Sequence, residues 1–399
     1  MTSIIPDTYE GREQALVKHA LLKSYLEKLV LIIGMSAKKA RRVEICFVDC
    51  FAGPWGAPDD NLEGTSISLS LKTLAACKEK LATLGVDATI RALYVEKDPT
   101  AFGRLSKFLS SKAPPSIAKA CLHGDFVDLR NDILEWCGTG AFTFFFVDPK
   151  GWKDIAIDKM RPLLERPRSE FLINFAYNFI NRTASMSAWR DAMMKLLGSS
   201  VNLDGLQPAE REEALVNAYR TSLKACVPGG GPEYRARSAY VTVLAPLHRR
   251  TKYHLVYVTS HPTGIVEFMD VSERVHLVQR RVRAAKQIDA RQQRTGVTDM
   301  FGADPQPEPE DGRCSPSDVD TFWRRYLSAG ERRVGTADFA DILETTNWLP
   351  GELQSSLVRL VKAGAVCNLD ADASRRRTRP LHFDKAERLQ LTQPDSDHS

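Results

Sequence analysis

The chain has no Cys-x-x-Cys pair, and its eight cysteines are scattered along 399 residues. That excludes a zinc ribbon or a compact disulfide framework, both of which need close, regularly spaced sulfurs, and no metal site is expected. No apolar run is long enough to span a bilayer. The opening residues MTSIIPDTYEGREQ carry acidic groups and lack the apolar centre of a secretory leader. The expectation is a cytoplasmic protein that does not engage membranes. An excess of one charge is also missing: 55 basic against 50 acidic residues leave +5. Any attraction to nucleic acid must therefore come from local patches. No internal repeat is visible.

What is present is the composition of a folded globular protein, 43% hydrophobic and 26% charged, long enough for one large α/β domain and a small second one. Residues 15–34 place Leu16, Ala20, Leu22, Leu26, Leu29, Ile32 and Ile33 at helical spacing, with Lys18, Lys23 and Lys28 on the other side. After them, short β-branched or aromatic runs alternate with helix-compatible segments, the signature of a parallel sheet. Strands are predicted at 44–50, 90–95, 117–122, 142–147 and 170–175, then at 239–247 and 252–260. Only the polar turn HRRT separates the last two, too short for a parallel crossover, so they must pair antiparallel. Five parallel strands and a terminal antiparallel hairpin are the strand programme of class I, S-adenosylmethionine-binding, Rossmann-like methyltransferases. A helical insert is expected at 183–226 and a basic helix at 273–294. The first domain would close near residue 290, followed by a linker at 291–316, a winged-helix-like domain at 317–391 and a tail at 392–399. In that last domain three helices precede two strands that flank Arg375, Arg376 and Arg377.

In an open parallel sheet, ligands bind outside the carboxyl ends of the strands. The first strand runs into Asp49, Cys50, Phe51, Ala52, Gly53, Pro54, Trp55 and Gly56. This D-x-F-A-G-x-x-G spelling is not the pyrophosphate-cradling G-x-G-x-x-G; Asp49, Ala52, Gly53 and Gly56 are candidates for contact with a methionine-like moiety, or else make a tight turn. Cys46 and Cys50 on this strand are read as buried rather than as redox or metal groups. Glu96 ends the second strand, where a carboxylate can accept both ribose hydroxyls; the alternative is a surface carboxylate. After the third strand come Asp125 and Phe126, candidates for the adenine, with Asp128 a competitor one turn on. The fourth strand ends in Asp148, Pro149, Lys150, Gly151 and Trp152. Asp148 and Pro149 fix a rigid turn that can orient an amino group for in-line attack, and Trp152 could stack a base or simply be buried. Lys150 could meet a backbone phosphate, as could Arg359 and the Arg375 to Arg377 loop if the last domain enters a groove.

The motifs KHALLKSYL, FVDCFAGPWG, YVEKDP, HGDF, FFFVDPKGW, FAYNFINR and the His261 to Gly264 sequence H-P-x-G, in this order, resemble the three-Cys-motif partner protein family, TcmP. The resemblance spans most of the chain. It implies a methyltransferase-like fold that binds S-adenosylmethionine, and a radical-SAM-like partner protein that carries the three-cysteine motif this chain lacks. The D-P-P-Y step of amino-methyltransferases is matched incompletely, since Lys150 replaces the second proline and the aromatic comes one residue late. Two functional readings follow. One is an enzyme methylating an amino group of DNA or RNA; the other is an interaction protein whose pocket is degenerate and whose winged helix recruits nucleic acid or the partner.

Overall fold

A computed structural model describes residues 5–53, 62–184, 186–231, 234–295, 314–371 and 379–392. Contacts divide the chain into two units, Met1–Ser260 with Val275–Pro307 and His261–Arg274 with Glu308–Ser399. The first unit opens on helix α1 (Glu13–Ser36) and then alternates β1 (Arg42–Asp49), α2 (Ser66–Thr83), β2 (Asp87–Glu96), α3 (Pro99–Ser111), β3 (Ala118–His123), α4 (Arg130–Cys137), β4 (Phe142–Val147), α5 (Ile157–Leu164) and β5 (Ser169–Phe175). Three helices follow, α6 (Tyr177–Ala184), α7 (Arg190–Leu197) and α8 (Pro208–Cys226), then the hairpin β6 (Arg237–Leu244) and β7 (Thr251–Thr259). Helix α9 (Pro262–Thr295) runs through both units and begins well before the basic stretch at 273 where the sequence predicted its start, because Pro262 suits a first helical turn.

The sheet has the order β3-β2-β1-β4-β5-β7-β6. Strands β1 to β5 pair in parallel, while β7 runs antiparallel to both β5 and β6. This is the class I methyltransferase sheet. Every residue of β4, FTFFFV, is buried, as expected of a central parallel strand covered on both faces. Helix caps come from the residue types that favour them: Thr65 Oγ1 accepts from Ser68 N at 3.4 Å to start α2, and Asp98 Oδ1 accepts from Ala101 N at 2.8 Å to start α3.

Helix α1 departs from its predicted stripe. Val17, Leu21, Tyr25 and Val30 are buried together with Leu22, Leu26 and Leu29, whereas Leu16, Ile32 and Ile33 are only half-buried. Two partners set this rotation. Gly34 approaches α2 so closely that a Cβ there would lie 2.4 Å from Leu81 Cδ2, and Tyr25 reaches the sheet, donating to Glu170 Oε2 at 2.9 Å.

The second unit contains α10 (Pro316–Tyr326), β8 (Arg332–Val334), α11 (Thr336–Thr346), α12 (Pro350–Lys362), β9 (Val366–Asn368) and β10 (Glu387–Leu391). Its small antiparallel sheet has the order β8-β10-β9. Strand β8 was not foreseen, because three residues, RRV, are too few to show a period. Trp323, Phe339, Leu343, Leu353 and Leu357 form the core, with Trp323 Nε1 donating to Leu353 O at 3.2 Å. Among the described residues no helix is long and apolar enough to cross a membrane, and no group of metal-ligating side chains gathers.

Candidate functional site

The loops after β1, β2, β3, β4 and β5 line one cleft of about 650 Å³, within the ~300–1,000 Å³ usual for small-molecule sites. Asp49 lies beneath it, fully buried. Its Oδ1 accepts from Phe51 N at 3.1 Å and its Oδ2 from Ser66 Oγ at 2.6 Å, so one carboxylate ties the loop after β1 to the first residue of α2. Burial pushes the Asp49 carboxyl up to about 7, against the pull of those two donors. The backbone on either side is fixed as well: Cys50 N donates to Phe146 O at 2.9 Å and Ala52 N to Val95 O at 2.8 Å, which leaves Gly53 at the cleft wall. Gly56 lies outside the described residues. Cys46 and Cys50 are buried, free thiols.

Glu96 lines the cleft and is 6% exposed. Its Oε1 accepts from Asp98 N at 2.7 Å, and among the described residues its second oxygen has no hydrogen-bond partner. Gly124 follows β3 with φ +152°, and a Cβ there would lie 3.0 Å from Leu129 Cδ1, so this exit from the strand needs glycine. Phe126 is buried with its ring 5.1 Å from that of Phe51, and both line the cleft. Asp125 stands beside the cleft and not among its lining residues; its Oδ1 accepts from Val127 N at 2.9 Å and its Oδ2 lies 3.6 Å from Lys97 Nζ. Asp128 is exposed and does not line the cleft.

Past β4, Asp148, Pro149, Lys150 and Gly151 line the cleft. Asp148 is held from both sides: Oδ2 pairs with Lys18 Nζ from α1, and Oδ1 accepts from Asn174 Nδ2 of β5 at 2.7 Å. Lys18 therefore faces the cleft, correcting the expectation that it sits on the solvated side of α1; its side chain is only 14% exposed. His19, next to it, lines the cleft too and is hydrogen-bonded through Nδ1 to Tyr9 Oη at 3.0 Å. Burial, and secondarily the Lys18 ammonium, lower its imidazole to about 3, so it is neutral near pH 7. Neither Lys18, His19 nor Asn174 was singled out for chemistry by the sequence. Their only signal was membership of the KHALLKSYL and INF segments, where helix and strand periodicity already explained them.

Trp152 does not offer its ring to the cleft. It is 7% exposed, packed in the core under the turn and set edge-on to Trp189 at 5.8 Å. The turn at Lys150 and Gly151 faces the cleft, and the large apolar ring gains more by burial than it would at the surface. Arg359 is likewise engaged within its own unit. Its Nη2 donates to Asp320 Oδ1 at 2.6 Å and to Pro316 O at 3.1 Å, which ties α12 to α10. Arg375, Arg376 and Arg377 lie outside the described residues.

No family model matches the chain, and no curated protein matches it. Among solved structures, a Legionella pneumophila protein of the DUF519 family is similar at 11% identity over 69% of this chain and 92% of its own, with a TM-score of 0.36. The O-methyltransferase from Bacillus cereus in complex with S-adenosylhomocysteine is similar at 10% identity over 58% of this chain and 80% of its own, TM-score 0.30. The O-methyltransferase TomG from Streptomyces achromogenes, in complex with S-adenosylmethionine, is similar at 10% identity over 61% and 89%, TM-score 0.29. Likenesses this remote carry no weight for the site, and the fold assignment stands on the strand order.

Proposed function

We propose that this chain is an S-adenosylmethionine-dependent methyltransferase. One observation carries the reading: Gly53, Glu96, Gly124 and Phe126, from three separate strand ends, line the same cleft as Asp148 and Asn174 from the two strands beside them. The donor set fits the cofactor. Glu96 would accept the ribose hydroxyls with the oxygen that has no partner among the described residues, Asp125 and Phe126 would flank the adenine, and Asp49 would keep Gly53 close enough for backbone contact. When bound, the cofactor supplies an electrophilic methyl group. Asp148 and Asn174 would then orient an acceptor amino group in line with it, and orientation would be the main catalytic contribution. The TcmP resemblance supports an acceptor on DNA or RNA and a radical-SAM-like partner with three cysteines. The helix and strand order of the second unit supports a winged-helix reading for that docking.

The interaction-protein reading has one observation of its own. Both oxygens of Asp148 are already engaged, by Lys18 and Asn174, so an acceptor must displace or join those partners. Calorimetry of the full chain with S-adenosylmethionine and S-adenosylhomocysteine separates the two. Binding of both, followed by methyl transfer to DNA, RNA or the partner protein, supports the enzyme; absence of any binding heat selects the degenerate pocket.

A further inference from the structure

With Trp152 buried, the cleft retains a different exposed aromatic. Phe179, on the first turn of α6, lines the cleft while remaining 49% exposed. Single apolar residues on a surface are ordinary, so exposure alone decides nothing. Its surroundings decide more. Arg182, three residues on, rests its guanidinium carbon 4.8 Å from the Phe179 ring centroid, and its Nε donates to Asn178 O at 3.1 Å, which fixes the ring's neighbourhood. Asn178 lines the same cleft and carries a carboxamide, a group that can both donate to and accept from a base edge. Five basic side chains, Arg12, Lys18, Lys97, Lys150 and Lys252, line the cleft against three carboxylates. A planar apolar face, a carboxamide beside it and a net positive lining are the combination that single-stranded nucleic acid selects, because every base has a stacking face and every nucleotide a phosphate.

We infer that Phe179 is the platform on which an unpaired or flipped-out nucleobase stacks, with Asn178 at the base edge and the cleft lysines toward the backbone. The inference deepens the methyltransferase reading and rests on it, since the stacked base is the methyl acceptor.

The test uses the full chain and two probes, a short fluorescein-labelled single-stranded DNA and the RNA of the same sequence, followed by anisotropy over a salt series. Stacking of ~1–3 kcal/mol per base corresponds to about 5- to 140-fold in affinity at tenfold per 1.4 kcal/mol. Phe179→Ala should lose affinity in that range for at least one probe, with an unchanged slope of affinity against salt, because phosphate contacts remain. Phe179→Trp should bind within about twofold of wild type, since the larger ring still stacks. Equal binding by wild type and Phe179→Ala, a Phe179→Trp variant as weak as the alanine variant, or no binding of either probe by wild type overturns the inference. Calorimetry with S-adenosylmethionine on the same preparations keeps the two readings apart. If the wild type binds a probe through Phe179 but no cofactor, the methyltransferase reading fails alone; if it binds cofactor but neither probe, the platform fails alone.

Discussion

On the β1–β2–β3 side of the cleft, each group is held by the adjoining turn, by the helix that follows or by the neighbouring strand: Asp49 by Phe51 N and Ser66 Oγ, Glu96 by Asp98 N, Asp125 by Val127 N, and Ala52 N by Val95 O. On the β4–β5 side, the central carboxylate has one partner on the neighbouring strand and one far away in the chain. Lys18 comes from α1, 130 residues before Asp148, and Asn174 from the next strand, 26 residues after it. The first wall is therefore preorganised by turns, which glycine and short acidic loops specify locally. The second is completed only once α1 has packed over the sheet and brought Lys18 to Asp148. A wall of the second kind can be altered by shifting one helix, whereas the first changes only if its own loops change.

The largest effect that sharpens this contrast should come from Trp152. Trp152→Ala removes a buried ring on the β4 side and should cost about 3–5 kcal/mol of stability by urea unfolding. A stable variant with weakened acceptor binding would instead return Trp152 to the site. Asp148→Ala is next: methyl transfer should fall by about 100-fold or more, the scale of a misplaced reacting group, while S-adenosylmethionine affinity measured by calorimetry stays within about twofold. Persisting turnover would move the reaction centre away from the β4 edge. Glu96→Ala belongs to the other wall and should show the opposite split, losing about 1–3 kcal/mol of cofactor binding as its ribose partners go unpaired. Unchanged affinity would break the assignment of that wall to the cofactor.

The smallest net effect is a pH slope, because two buried groups oppose each other across it. Burial raises the Asp49 carboxyl from its ordinary range to about 7, so the folded protein holds a proton that the unfolded chain has already lost. The stability associated with that proton is fully present below the unfolded carboxyl's range and declines as pH rises through about 7. His19, lowered to about 3, acts in the other direction, contributing stability that is lost as pH falls below its unfolded value near 6.5. Across about pH 4 to 6.5 the two groups oppose each other, so Asp49→Asn should remove the decline and leave the His19 contribution, seen as melting temperatures that rise more steeply with pH than in wild type. An identical pH profile in the variant would mean that the buried carboxyl is already ionised in the folded state.

The strand positions were legible because a buried parallel strand must be a nearly continuous apolar run, as ICFVD, FTFFFV and EFLINF are, and because the HRRT turn is too short for anything but a hairpin. The cleft residues Gly53, Glu96, Phe126 and Asp148 were legible for a related reason: a parallel sheet presents the residues at and just past the ends of its strands on one edge, so their order along the chain already implies that they meet. By itself, then, the sequence determined the sheet and the edge on which a ligand would bind. Only the tertiary structure decided what surrounds that edge. Helix periodicity left Lys18 on a polar face, but packing of Gly34 on Leu81 and of Tyr25 on Glu170 turns α1 so that Lys18 and His19 enter the cleft. The turn at Gly151 likewise sends Trp152 inward and leaves Phe179 as an exposed ring at the cleft wall, while Asp320 engages Arg359. Contacts of this kind join residues with no fixed spacing along the chain. No local pattern could encode them, because each depends on how two separately formed elements come to rest against each other.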